Sequence, residues 1–206
     1  MILAIDTSVG ISVAVHDGTE ILSEVTATEY GLQGELTSQF ISTALSAAQI
    51  TMNDIRNIVV GVGPGPFTGL RVGITTALTL SYALNVPVHG LCSLDALGSH
   101  VVGEGIVVTD ARRKELYWAR YVDGVRCDGP SVDKPEAIVT RYPSTPICGP
   151  GSQLYPNVVS GTVMQIQAGA LAEMFTQGKG QIHEVVPMYL RKPDAVEPGK
   201  RKQVIS

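Results

Sequence analysis

The sequence predicts an α/β protein of two lobes, the second smaller and less regular, and three observations lead there. Short apolar runs bounded by turn residues open the chain as strands. A long, almost uncharged block with helical spacing follows. A second start then appears: strand, strand-end aspartate, polar turn and returning strand occur in Ile2 to Val15 and again in Ile106 to Tyr121. The recurrence reads as a weak internal duplication. It places a boundary near Gly98 to Gly105, with a first lobe over 1–102 and a second over 103–206.

The elements follow in order. Ile2 to Ile5 is an apolar run that ends on Asp6-Thr7-Ser8, and Ile11 to Val15 alternates as a strand does. Asp17-Gly18 is a tight-turn signal, so Ile21 to Thr26 is expected to return antiparallel, with Ile21 opposite Val15. Leu36, Phe40, Ala44 and Ala48 set a helix over Glu35 to Ala48, and Ile58 to Val62 is the next strand. After a glycine and proline loop, a helix from about Gly69 to Leu84 stops at Asn85 and Pro87. A strand, Val86 to Leu91, leads into a helix for which Ser93 is the expected N-cap and Asp95 the first-turn acid. In the second half, Ile106 to Asp110 and Leu116 to Val122 are strands, the latter turning at Asp123-Gly124. Pro135 to Arg141 and Ala168 to Gln177 are helices, and Pro146 to Cys148 is a short strand. Pro143, Pro146, Pro150 and Pro156 break up longer regularity.

Composition narrows the function. With 206 residues, 44% of them apolar and 17% charged, the chain can build a core and is not disordered by composition. No basic leader and no apolar run of spanning length is present, so a cytoplasmic protein without membrane contact is expected. Cys92, Cys127 and Cys148 lack CxxC spacing, and His16, His89, His100 and His183 form no HxxxH or HExxH. Neither a metal site nor a catalytic residue is therefore assigned. The net charge of −4 gives no general attraction to nucleic acid. Two basic clusters stand out locally: Arg112, Arg113 and Lys114, and a tail with Arg191, Lys192, Lys200, Arg201 and Lys202. Arg191, Lys200, Arg201 and Lys202 are the candidate RNA contacts, against a solvated tail.

Two strand-end aspartates in duplicated hairpins are similar to the two phosphate loops of the actin, Hsp70 and sugar-kinase fold, which is ribonuclease H-like. Asp6, Thr7 and Ser8 would form the first loop; Asp110, Ala111 and Arg112 the second. An acid at a strand end can hold a metal-bound water while turn amides face phosphate. The second loop offers bulky Arg112, Arg113 and Lys114 where backbone approach wants glycine, which argues against nucleotide hydrolysis. Aspartates that only cap their turns are the alternative. Gly61 to Gly69 fits neither GxGxxG nor GxxxxGK[ST], and Pro64 and Pro66 remove amide donors, so this loop positions a helix.

Charge is scarcest around that helix. Asn57 to Leu94 holds one charge, Arg71, in 38 residues where composition predicts roughly six. Leu36 to Asn53 holds none in 18. A helix with one wet face should carry charge there, so the two helices are expected to form a subunit interface of about 800 Å² per partner. The residues nominated for it are Leu36, Phe40, Gly69, Leu70, Arg71, Gly73, Ile74, Ala77 and Leu80.

The strings ILAIDTS (2–8), GPGPFTGLRVG (63–73) and SLDAL (93–97) resemble the TsaB (YeaZ) family, and the middle one is highly specific. The looser second half keeps Asp110-Ala111-Arg112, Glu115, Tyr117, Trp118 and the late run Pro187 to Arg191. The resemblance implies an actin-like ATPase (ASKHA) fold and a noncatalytic role in tRNA N6-threonylcarbamoyladenosine modification next to the anticodon. It also implies a heterodimer with the paralogue TsaD, a homodimer when alone, and the TsaE ATPase in the larger complex. Transfer chemistry would belong to the HxxxH-bearing TsaD, with tRNA met only through the complex. No cofactor is required, and ATP or ADP would sit at or near the complex interface. The alternatives are an ATPase or kinase using Asp6 and Asp110, and a metal-dependent peptidase-like protein.

Overall fold

The structure, a computed structural model, describes residues 1–28, 33–159, 161–162 and 164–191. Its first sheet is assembled from β1 (Ile2–Asp6), β2 (Ile11–His16), β3 (Ile21–Ala27), β4 (Asn57–Gly61) and β5 (Val88–Leu91), in the order β3-β2-β1-β4-β5. The first three strands are antiparallel, and β4 and β5 add in parallel. The second sheet uses β6 (Glu104–Asp110), β7 (Leu116–Val122), β8 (Val125–Asp133), β9 (Ile147–Cys148) and β10 (Gly161–Thr162), in the order β10-β9-β6-β7-β8. Read from its own first strand, each sheet has the same topology: an antiparallel meander on one side and two parallel strands on the other. The faint duplication in sequence is thus a full duplication in topology.

The central strands β1, β2 and β4 are buried on both faces, and their side chains sort by parity. Leu3, Ile5, Val13, Val15, Ile58 and Val60 face one core with α1 (Gln33–Ala47) and α2 (Phe67–Leu84). Ile2, Ala4, Ala14 and Val59 face the other, where α3 (Ser93–Gly98) and α5 (Ala168–Thr176) lie. The small side chains on that face admit α5 closely, itself rich in alanine at Ala168, Ala170 and Ala172. Val107, Ala119 and Tyr121 of the second sheet join the same core. The second sheet's far face is closed by α4 (Pro135–Arg141), where Ile138 meets Trp118 and Leu116.

Chain order and spatial membership part after Met164. Helix α5 returns to the first sheet, and residues from the opening hairpins cap it: Ala168 N donates to Ser12 Oγ at 2.8 Å and Gly169 N to Glu24 Oε1 at 2.9 Å. Met188 N then donates to Val62 O and His183 N to Gly90 O. No local pattern around Ala168 could announce a cap supplied from 156 and 145 residues away.

Several boundaries differ from expectation for physical reasons. Helix α2 starts two residues early because Pro66, whose missing amide costs nothing there, serves as its N-cap. Ile21 pairs with His16, not Val15, because a bulge follows Val15. Cys92, not Ser93, is the N-cap of α3; the Ser93 hydroxyl instead accepts from Gly63 N at 3.2 Å. Strand β8 was not expected; it is an irregular edge strand, and that tolerates Gly129 and Pro130.

At the β6–β7 turn, Arg112, Arg113 and Lys114 have φ of 62°, 53° and 62°, three successive non-glycine residues in the left-handed region. Each costs on the order of 1 kcal/mol. The turn is held by Ala111 N to Glu115 O at 3.1 Å, Glu115 N to Arg112 O at 3.0 Å and Arg112 N to Asp110 Oδ1 at 2.7 Å.

Candidate functional site

Asp6 ends β1 under a roof made by the loop after β4. Ser8 donates to Asp6 Oδ1 from its amide at 2.8 Å and its hydroxyl at 2.6 Å. Oδ2 lies between Gly61 and the Ser93 hydroxyl without a partner of good hydrogen-bond geometry, and a Cβ on Gly61 would stand 1.8 Å from it. Burial pushes the Asp6 carboxyl above the ordinary value of 3.8, opposed by the hydroxyls of Ser8 and Ser93 and the Ser8 amide. The native state therefore holds the extra proton. Asp6 stabilises the fold least unfavourably below 3.8, and stability falls as pH rises through the elevated folded value. Asp6→Asn should accordingly gain stability relative to the parent as pH rises from about 4 to 7, read as urea midpoints. A difference constant across that series would contradict the raised value.

Thr7 is the hinge pin of the site. Its hydroxyl donates to Gly69 O at 2.7 Å and accepts from Gly73 N at 3.1 Å, so one side chain secures the first two turns of α2. Gly69 and Gly73 are glycines because the helix backbone rests on the turn: a Cβ would stand 2.5 Å from Thr7 O or 2.3 Å from Thr7 Oγ1. Gly65 packs likewise against Ser8. The 63–73 string is therefore the mould of this junction.

A cavity of about 360 Å³ opens beside Asp6, bordered by Ser12, Thr26, Thr28, Pro150 and Gln153. Asp110 does not border it. Asp110 Oδ2 pairs with Arg112 Nη1 at 3.2 Å, and its Oδ1 takes the Arg112 amide.

The nominated interface residues divide by helix face. Gly69, Leu70, Gly73, Ile74 and Ala77 are buried in their own lobe, and Leu36, Phe40 and Leu80 are half-buried against the same core. Of the nine, Arg71 alone is exposed. The small and apolar spacing marked the face that packs inward, because close approach to Thr7 selects glycine. The outward face of α2 carries Phe67, Arg71, Thr75, Leu78 and Tyr82, with Tyr82 91% exposed. Beside it, α1 presents Ser38, Gln39, Ser42 and Thr43.

A C-terminal strap borders this face. Arg71 lies 3.7 Å over the Phe67 ring and donates from Nε to Tyr189 Oη at 3.0 Å, while Phe67 and Tyr189 stack at 5.0 Å. Arg191 then forms an ion pair with Glu115 in the second lobe. Lys200, Arg201 and Lys202 lie outside the described residues.

Sequence reasoning missed the buried polar cluster at the lobe junction. Asp95 Oδ1 accepts from Tyr121 Oη at 2.7 Å and faces Arg126 Nε at 3.3 Å. Burial raises its carboxyl, opposed by Arg126, Tyr121 and His183. An acid in a helix's first turn looks like a surface dipole partner, and only the arrival of β7 and β8 makes it a junction.

The family model described as TsaD: tRNA N6-adenosine threonylcarbamoyltransferase matches residues 34–197. An uncharacterized protein of Mycobacterium tuberculosis H37Rv is 39% identical over 199 residues, covering 94% of this chain and 93% of that protein. A Mycobacterium leprae protein is 40% identical over 204 residues, and there the chain spans about half of the relative, 56% of its length. The Bacillus subtilis protein named tRNA threonylcarbamoyladenosine biosynthesis protein TsaB is 34% identical over 126 residues, 58% of this chain and 54% of that one. Among solved structures, YeaZ from Pseudomonas aeruginosa matches with a TM-score of 0.71 and 25% identity over 92% of this chain and 99% of that chain. The duplicated sheets are thus the actin-like, ribonuclease H-like fold. From this match over most of its length, and from its TsaB-named relatives, the chain belongs to the TsaD family as a TsaB/YeaZ-type protein.

Proposed function

We propose that the chain acts in tRNA threonylcarbamoyladenosine biosynthesis as a noncatalytic subunit that pairs with a TsaD-type protein through the outward face of α1 and α2. The observation that carries this is the outward face of α2: in 18 residues its single charge is Arg71, and Phe67, Leu78 and Tyr82 are 44%, 43% and 91% exposed. Exposed aromatics with few charges are the composition of an interface centre. The relatives named for this biosynthesis supply the process. A homodimer over the same face is the form proposed in the partner's absence, and TsaE and tRNA would meet the assembled complex. ATP or ADP at the complex interface belongs to the same proposal.

Support for a noncatalytic role comes from the two aspartates. A metal-bound nucleotide would need both carboxylates turned to one cleft. Asp6 is enclosed by Gly61 and Ser93, while Asp110 does not border the cavity beside Asp6 and is paired with Arg112. These residues do not fit a metal–nucleotide centre. Mixing the chain with the TsaD of its own organism and measuring mass by light scattering should give a one-to-one complex. Two unshifted single species at about 10 µM would reject the pairing.

A further inference from the structure

The sequence has two basic clusters far apart, and the structure brings Arg191, the one described residue of the second, to the first. Glu115 ends the turn that carries Arg112, Arg113 and Lys114, and Arg191 pairs with Glu115. Arg112 pairs with Asp110 and Arg191 with Glu115, and Arg113 and Lys114 stand on the same turn, in a chain whose total charge is −4. All three turn residues are exposed. Their left-handed backbone is the second observation. A glycine or asparagine would relax it, yet the positions hold long cationic side chains, locked by hydrogen bonds at both ends of the turn. Strain that persists in such residues points to a use for the conformation. Here it displays successive cations at a hairpin tip.

The place of the tip narrows the occupant. The strap that reaches it begins at Tyr189, which is bonded to Arg71 on α2, so the basic tip stands at the border of the proposed partner face. Residues 112–114 include no apolar or aromatic side chain, whereas an interface centre that bound an acidic protein segment would be expected to have them. Long cations alone suit phosphate oxygens, which fix position without reading sequence.

We propose that the 112–114 turn, with Arg191 behind it, is an RNA-backbone contact: it grips phosphates of tRNA beside the partner face. The proposal deepens the biosynthetic reading and rests on it for the identity of the RNA. The test is fluorescence anisotropy of a tRNA transcript with the full chain mixed with its organism's TsaD-type protein, between roughly 20 and 200 mM salt. Arg113→Gln with Lys114→Gln should lower the slope of log affinity against log salt by about 1.5. Lys134→Gln with Lys179→Gln removes the same charge from other exposed sites and should leave the slope unchanged. Lys114→Gly guards against misfolding: it relieves the left-handed strain, so it should raise the melting temperature while still lowering the slope. Equal slopes for the two double variants, or no tRNA binding by the parent at the lowest salt, would overturn the proposal. So would loss of polyglutamate binding with an unchanged tRNA slope, which would assign the turn to an acidic protein. Light scattering of the same mixtures separates the readings: a complex with an unchanged slope sinks the turn alone, and a lowered slope without a complex sinks the pairing alone.

Discussion

Leu78→Asp with Tyr82→Asp should raise the dissociation constant for a TsaD-type partner at least 1,000-fold, on the order of 4 kcal/mol, while the chain itself stays folded. Both side chains stand on the outward face, 43% and 91% exposed, so their replacement should change stability by about 0.5 kcal/mol at most. An aspartate trapped in a water-free contact must either lose solvation or keep the surfaces apart. The comparison that gives the experiment its force is Leu70→Ala. Leu70 is fully buried among Leu3, Ile5 and Val60, and its truncation should cost about 2–5 kcal/mol of folding stability. If Leu70→Ala abolished pairing in a chain of unchanged melting temperature while the outward pair had no effect, the partner face would be the wrong one.

Gly73→Ala should destabilise the chain by about 3–5 kcal/mol, a large share of the roughly 5–15 kcal/mol a domain commonly has. The methyl would stand 2.3 Å from Thr7 Oγ1. Thr7 must then move, which breaks its donation to Gly69 O and leaves the Gly73 amide without its acceptor, all in a buried place. Thr7→Ala removes the obstacle together with the hydrogen bonds and should cost less, about 1–2 kcal/mol. The double variant is therefore expected to be more stable than Gly73→Ala alone, a coupling that chemical denaturation reads directly. Strict additivity would show that Thr7 is not what excludes a side chain at position 73.

These two experiments concern opposite faces of one helix, and that is where the sequence was least legible. The helix was visible in its spacing, and the scarcity of charge around it was visible in composition. Which face looks outward was not. Glycine and alanine at 69, 73 and 77 are compatible with a close subunit contact and with a close contact inside the lobe. The backbone of Thr7, 62 residues away from Gly69, selects the second.

Other parts of the site show the same division. Asp6 and Asp110 were visible as related strand ends, and the matching strand orders of the two sheets realise that relation. Their chemical inequality was not visible, since one aspartate is enclosed by Gly61 and Ser93 while the other is held by its neighbour Arg112. Asp95 offered a local reading, a first-turn acid, that the arrival of Tyr121 and Arg126 replaced.

The sequence by itself determined the order of strands and helices through β7, the duplication and the family, because periodicity, turn residues and the 63–73 string are local properties of a chain. Only the tertiary structure decided which glycines are buried, which aspartate is enclosed, and that the basic turn at 112–114 meets Arg191. Those outcomes depend on contacts between residues tens to more than a hundred positions apart, and a contact of that kind leaves no period in the sequence.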